Sequence, residues 1–337
     1  MAAYGQPPAP PAPSPEERPV SEPPALPPRV VDVLVVGGGA AGLAAALTLG
    51  RARRRVLVVD AGEPRNAPAA AMHAFLTRDG TPPAELLAIA RDEVARYGVD
   101  HLVARAVAAR REEDRLRVDL DDGTHVLARR LVVTTGLVDE LPDIEGLAER
   151  WGDDVVHCPY CHGWEVRDRR IGVLATSPRA SHSAGLFRQL SDRVVYLNHT
   201  GDPLDPEVAA TFAARDVEVV DGEVVRVEVT DGALSGVRLA DGRHVPLEAL
   251  AVGTRMVARS ELLAGLGLDA VEHPSGAGTH VPADPFGRTS VPGVWVAGNV
   301  VDPSAQVINA AAQGNLAGAH VNADLVLEDE ARARAAA

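Results

Sequence analysis

Between Val30 and Gly62 the chain reads VVDVLVVGGGAAGLAAALTLGRARRRVLVVDAG, and the glycines at positions 37, 39 and 42 narrow sharply what it can fold into. The apolar run Val31–Val36 enters them with the near-continuous hydrophobicity of a strand covered on both faces, as in a parallel sheet. Leu43–Leu49 leaves them as an Ala-rich helix, and Val56–Val59 is a second strand ending at Asp60. A strand–turn–helix–strand unit with G-x-G-x-x-G in its turn, and an acid about 20 residues on, is the arrangement that holds a dinucleotide. Gly37 permits the tight turn, Gly39 lets a pyrophosphate approach the backbone, and Gly42 lets helix and strand pack closely. The helix N-terminus adds free N–H groups and a partial positive charge, and Asp60 can accept hydrogen bonds from a ribose. A glycine turn in an ordinary α/β protein is the plain alternative; strand, helix and acid in this order favour the dinucleotide.

The rest of the chain repeats that plan. Pro83–Tyr97 is helix-like, residues 101–133 read as a small β-meander turning at 121–123 (DDG), and RRLVVTTG returns as a strand ending at Gly136. A second strand–turn–helix–strand unit spans residues 169–198, and a second set of short strands with DG turns spans 224–253. The segment 289–326 is a strand, a polar turn and a long Ala-rich helix that belongs with the first unit. The expected fold class is therefore α/β, with two Rossmann-like, nucleotide-binding-type domains, the first interrupted by the second. The expected divisions are 1–29, a Pro-rich tail; 30–146, the first domain; 147–250, an inserted domain; 251–327, the return; and 328–337, a second tail. Aromatic residues make up only 3% of the chain, so the cores must be built from Ala, Val and Leu. A formal charge of −14 argues against nucleic acid or an anionic membrane as partner. No apolar run has the length of a membrane span, and the N-terminal segment has no apolar stretch of the kind a signal peptide needs. The expected compartment is the reducing cytoplasm.

The inserted unit lacks the glycines of the first. Its turn, residues 174–185, reads LATSPRASHSAG, so side chains from Thr176 to Ala180 stand where a pyrophosphate would need bare backbone. After the next strand, residues 198–203 read NHTGDP; no arginine pair awaits a 2′-phosphate, and Asp202 would repel one. A nicotinamide dinucleotide on an unusual loop is one reading; a vestigial fold without its cofactor is preferred. Just before this unit lies HCPYCHGWE, residues 157–165, holding the only two cysteines of the chain, Cys158 and Cys161. A zinc site would need His157 and His162 as further ligands, crowded closer than finger spacing allows, and no metal is expected. A structural disulfide across so short a loop removes little chain entropy and would tend to be reduced in a cytoplasm. A redox-active dithiol fits best, with one thiol pKa lowered and Pro159 restricting the loop.

Several of these segments together carry a resemblance. TTG at 134–136 and VWVAGNVVD at 294–302 resemble the two further FAD fingerprints of flavoproteins built from two dinucleotide domains. Those families have Gly-Asp in the second; here Asn299 follows Gly298, and an amide can still accept from and donate to a hydroxyl. In motif order, from about Val31 to Val326, the chain resembles the low-molecular-weight thioredoxin reductases. CPYC also occurs in glutaredoxins, but those carry it near the start of a small domain. The CxxCHG followed by an aromatic and Glu, with His162 where that family has Asp, is similar to its dithiol-oxidase branch, of the gliotoxin and holomycin type. Arg65-Asn66 and MHAFLTRDG at 72–80, which includes His73, look like segments that approach the flavin in that branch. The resemblance implies FAD held by Gly37, Gly39, Ala41, Gly42, Asp60, Arg65, Asn66, His73, Thr135, Gly136, Gly298, Asn299, Gln306 and Val307. It implies that a substrate dithiolate attacks at Cys158, that Cys161 is the flavin-proximal sulfur, and that His162 takes the thiol proton, with weaker claims for His157 and His73. Oxygen would then take the electrons and yield hydrogen peroxide. The expected partners are a small-molecule dithiol, oxygen and a second copy of the chain in a homodimer, with no nucleic acid and no membrane. Two other readings remain: a thioredoxin-disulfide reductase driven by NADPH or ferredoxin, and a non-catalytic flavoprotein that binds a partner.

Overall fold

A computed structural model of the chain describes residues 29–177 and 179–337. The expected Pro-rich tail lies outside the described residues apart from Arg29, which opens the first strand. Strands β1 (Arg29–Val36), β2 (Val56–Asp60), β3 (Asp100–Val103), β4 (Ala106–Glu112), β5 (Arg115–Leu120) and β6 (His125–Val133) lie side by side in the order β3-β2-β1-β6-β5-β4. The first four in that order are parallel, and β4 and β5 join antiparallel. Val33, Leu34 and Val35 are fully buried, as an apolar run covered on both faces requires. Helices α1 (Ala40–Arg51) and α2 (Pro83–Ala95) cover one face, and the meander with its neighbours covers the other.

The last strand of the meander runs on into the returning strand. They share β6, which pairs with β1 along its whole length. Its opposite edge is divided: residues 125–128 bond to β5 and residues 131–133 bond to a late strand. Nothing in HVLARRLVV breaks extended backbone, so one strand serves both roles.

Strand β7 (Leu137–Glu140) leads out of this sheet. The second sheet follows: β8 (Val155–Val156), helix α3 (Pro159–His162), β9 (Ile171–Leu174), α4 (Ala180–Phe187), β10 (Val194–His199), α5 (Pro206–Ala214) and β11 (Glu218–Asp221). The antiparallel set β12 (Val224–Thr230), β13 (Ala233–Leu239) and β14 (His244–Pro246) precedes β15 (Ala249–Val252), and the parallel order is β11-β10-β9-β15-β8. Strand β16 (Arg255–Ala258) leads back and pairs antiparallel with β7, so the two passages between the sheets run together. After a short hairpin, β17 (Val271–Glu272) and β18 (Thr279–His280), strand β19 (Val294–Val296) joins β6 in the first sheet.

The chain closes with α6 (Val307–Ala336), 30 residues long. Its first half lies directly on α1: a Cβ at Gly314 would stand 1.9 Å from the Ala41 carbonyl oxygen, and one at Gly318 would stand 2.8 Å from that of Ala45. The helix continues through 328–336, the segment expected as a tail. Asp329 pairs with Arg54 and Arg129, Glu328 with Arg130, and Arg332 reaches Glu328 one turn back, so polar composition here builds an ion-paired helix face. Among the described residues no helix is long and apolar enough to cross a membrane.

Gly314→Ala should lower stability by about 3 kcal/mol through overpacking, although alanine is the better helix former. Gly318→Ala, with more room, should cost clearly less. Thermal unfolding midpoints measure both; equal losses would mean the helix pair can slide apart freely.

Candidate functional site

A cavity of about 560 Å³ lies where the first sheet, the passages and the start of the second sheet meet. The fingerprint turn forms one wall. Gly37 has φ +106°, and a Cβ at Gly42 would stand 1.9 Å from the Gly37 carbonyl oxygen, which is the close packing expected of the third glycine. A Cβ at Gly38 would meet the Asp60 carboxylate at 2.7 Å. Gly39 alone in this turn faces open space, with nothing within 4 Å of an added Cβ, and it is the N-cap of α1 with no side-chain cap. Bare backbone, uncapped N–H groups and Asp60 at the strand end are what a dinucleotide pyrophosphate and ribose need. These residues fit a flavin dinucleotide.

Of the residues assigned to the cofactor, all except Gly42 line this cavity, and Gly42 is the one whose part is packing. Thr135 and Gly136 follow β6, and Thr134 before them donates to the carbonyls of Val36 and Gly37 at 3.0 and 2.9 Å, clamping β6 to the turn. Gly298, Asn299, Gln306 and Val307 come from the segment between β19 and α6. Asn299 behaves differently from expectation. Its Nδ2 donates to the carbonyls of Asp302, Pro303 and Ala305 at 3.1, 3.4 and 2.9 Å. The amide hydrogens are thus spent on its own loop, and only Oδ1 remains to meet a cofactor hydroxyl. Arg65 is likewise committed: its Nε and Nη2 donate to both oxygens of Asp139 at 2.6 and 2.7 Å. Thr254 Oγ1 donates to Asp139 at 2.6 Å. Burial opposes the Asp139 charge, but the Arg65 guanidinium and the Thr254 hydroxyl hold its carboxyl below the usual range. Asp139 sits on β7 and Thr254 just before β16, so this knot ties the 61–73 segment to both passages. No spacing rule pointed to either residue.

The dithiol opens onto the same cavity. Cys158 is the N-cap of α3, Pro159 takes the first helical position, and both cysteines are free thiols, half-buried. The Cys158 thiol is pulled down to about 6, first by the hydrogen bond from Cys161, against burial, and then by the N–H groups of Tyr160 and Cys161. Cys161 is pushed up by the same contact and by burial. The pair therefore holds one proton near neutrality, with the charge on Cys158. Gln306 Nε2 lies 3.6 Å from Cys161 Sγ.

Three histidines surround the pair. His162 also lines the cavity; burial lowers its pKa, the His73 ring reinforces this and the Glu165 carboxylate opposes it, so near pH 7 it is neutral and can take a proton. His73 stands between Asp79 and Glu165, 3.4 Å from each. His157 Nδ1 lies 3.2 Å from the Val252 carbonyl oxygen, and burial keeps the ring neutral. Among the described residues no cluster of His, Cys, Asp or Glu is arranged to hold a metal.

In the second sheet the strand order reverses at β9, between β10 and β15, where such a fold would receive its dinucleotide. Thr176 Oγ1, just past the end of β9, donates to the carbonyl of Gly253, just past the end of the neighbouring β15, at 2.8 Å.

A family model described as pyridine nucleotide-disulphide oxidoreductase matches residues 31–314. The chain is 33% identical to thioredoxin reductase tcpT of Claviceps purpurea, across 89% of this chain and 95% of that one. It is 31% identical to thioredoxin reductase sirT of Leptosphaeria maculans, across 88% and 94%. Among solved structures it resembles HlmI at 47% identity and a TM-score of 0.85, covering 91% and 96% of the two chains. An oxidoreductase from Agrobacterium tumefaciens matches at 36% and 0.82, covering 88% and 99%. With this coverage joined to the fingerprint turn and the CxxC dithiol, the chain belongs to the pyridine nucleotide-disulphide oxidoreductases, in their low-molecular-weight thioredoxin-reductase-like branch.

Proposed function

We propose that the protein is an FAD-dependent dithiol oxidase that closes an intramolecular disulfide in a small molecule, as in natural-product biosynthesis or self-protection, with oxygen as electron acceptor. The observation that carries this reading is the second crevice. Side chains replace the glycines of its turn, Thr176 bonds to Gly253 there, and a chain that holds no nicotinamide dinucleotide can fill its flavin from substrate thiols. The CxxCHG motif, similar to that of the dithiol-oxidase branch, supports this reading. The protein acts as a homodimer in the cytoplasm.

FAD, held by the Gly37–Gly42 turn, Asp60, Asn66, Thr135, Gly136, Asn299 and the start of α6, would supply a two-electron acceptor for the dithiol and pass the pair to oxygen as hydrogen peroxide. The protein's own residues do the sulfur chemistry. An imidazole nitrogen of His162 takes the proton of a substrate thiol. The thiolate attacks Cys158 Sγ of the oxidised pair, the Cys158–Cys161 bond breaks, and Cys161 leaves with the electron pair. The second substrate thiolate then attacks the substrate sulfur of the mixed disulfide and expels Cys158. The N–H groups of Tyr160 and Cys161 at the helix cap remain to receive the charge on Cys158, and a leaving thiol of lower pKa departs faster. Two electrons now reside on the cysteine pair, and the product is a cyclic disulfide.

The competing reading, a thioredoxin-disulfide reductase driven by NADPH or ferredoxin, takes its support from the names of the fungal relatives. An oxygen electrode with a peroxide assay separates the two. A dithiol such as dithiothreitol should consume oxygen and release about one hydrogen peroxide per disulfide, by the two-electron count of exchange. Flavin bleaching by micromolar NADPH without dithiol-driven oxygen uptake would restore the reductase.

Cys158→Ser and Cys161→Ser should each abolish turnover. In the reduced wild type, iodoacetamide should label Cys158 first. Because its pKa is lowered, the thiolate is present above about pH 6 and is lost as pH falls through that value. Peptide mapping across pH reads this directly; preferential labelling of Cys161 would reverse the two roles.

His162→Ala should slow flavin reduction by dithiol about 10²–10⁴-fold if the imidazole is the base. The loss should shrink at alkaline pH, where the substrate thiol ionises unaided. A rate unchanged at pH 7 in stopped flow would make His162 a loop residue.

A further inference from the structure

We propose that Gln306 is a catalytic residue whose side-chain amide receives the negative charge on Cys161 Sγ when the Cys158–Cys161 disulfide is opened. Substrate attack forms a bond to Cys158 Sγ and breaks the bond between the two cysteines. The electron pair of that broken bond goes to Cys161, which has no proton at that moment. A half-buried thiolate needs a donor, and the Gln306 amide lies 3.6 Å from the sulfur, within reach of a long N–H···S hydrogen bond.

The start of α6 orients the amide. Gln306 is the N-cap of α6 and forms a capping box with Asn309: its side-chain oxygen accepts from the Asn309 N–H, while Asn309 Oδ1 accepts from the Gln306 N–H at 3.3 Å. With the oxygen held by the helix, the NH₂ group is the end aimed at sulfur. The 30-residue helix thus orients a neutral donor toward the charge, at the end where its own dipole favours a negative group. The Cys158 contact and burial both disfavour charge on Cys161; the Gln306 amide is the foremost group acting against them, followed by Arg65.

Asn299 is the positioning residue for this donor. Its amide holds the carbonyls of residues 302, 303 and 305, the last of them adjacent to Gln306. A carboxylate at that position would face these oxygens with no hydrogen to give. The departure from Gly-Asp therefore matches a loop shaped to deliver Gln306.

This inference rests on the dithiol exchange proposed above and not on the identity of the electron acceptor, so a thiol titration without turnover tests it. Cys158→Ser leaves Cys161 as the only cysteine of the chain. Its titration, by thiolate absorbance and by iodoacetamide rate, is compared with that of Cys158→Ser/Gln306→Leu, with FAD added to keep the flavin band equal. Leucine should raise the Cys161 pKa by about one unit, making alkylation about tenfold slower at a fixed pH below it. Gln306→Glu, which keeps the capping oxygen and the length, should raise it at least as far and serves if the leucine variant does not fold. Gln306→Lys, restoring a donor, should bring it back down. Superimposable titrations of the parent and the leucine or glutamate variants would overturn the proposal, whatever the oxygen electrode shows.

Discussion

The site depends on one place where backbone touches backbone. Helix α1 leaves the fingerprint turn with Gly42 against the Gly37 carbonyl, and α6 lies on α1 with Gly314 against that of Ala41. Side chains at these positions would force these backbones apart. Because they are absent, the start of α6 reaches the turn, and Gly298, with φ +78° and its Cβ position 3.0 Å from Ala41, seats the preceding loop beside it. Segments some 260 residues apart thereby become two walls of one cavity. The ion pairs from Arg54, Arg129 and Arg130 to the second half of α6 keep the long helix from rotating about that contact. Their separate contributions are modest, but together they form a network with partly buried arginines.

The second constraint is where the dithiol is held. The inserted sheet is joined to the first by only two passages, and these pair with each other through β7 and β16. Asp139 on β7 takes both Arg65 nitrogens and the Thr254 hydroxyl, so a charge on the first unit's loop grips both passages near the cysteines. A bidentate pair at a largely buried carboxylate fixes direction as well as distance. Cys158 and Cys161 line the cavity in this arrangement, with His162 beside them and Gln306 behind Cys161.

What could be read from the chain alone was whatever lies close in sequence. The fingerprint turn, the TTG element, the returning glycine and the CxxC each carry their chemistry within a few residues, and the fold class follows from the order of such units. The contacts that organise the site are long-range: Arg65 to Asp139 spans 74 residues, Thr176 to Gly253 spans 77, and Gln306 to Cys161 spans 145. No periodicity records a hydrogen bond across such distances. Asn299 hid its loop contacts for the same reason. Its chemistry permits a cofactor hydroxyl, and only the folded loop shows the carbonyls that take its hydrogens instead. The end of α6 was misjudged for another: a run rich in acids and arginines looks like a solvated tail until its partners on β6 and just after α1 are in place.

The two nucleotide-type units differ at the turn that opens each helix. Both have a parallel strand, a turn and a helix, and in both the turn sits where the sheet's strand order reverses. In the first, an open glycine and a side-chain-free cap leave the helix N–H groups to a ligand. In the second, Thr176 uses its hydroxyl to satisfy the Gly253 carbonyl, and α4 is only eight residues long. Under the proposed function, electrons enter through the sulfur pair, and the burden of activation falls on that pair. This is where the structure spends its polar groups: a lowered Cys158 thiol at a helix cap, a neutral His162, and an amide locked by its own helix against Cys161.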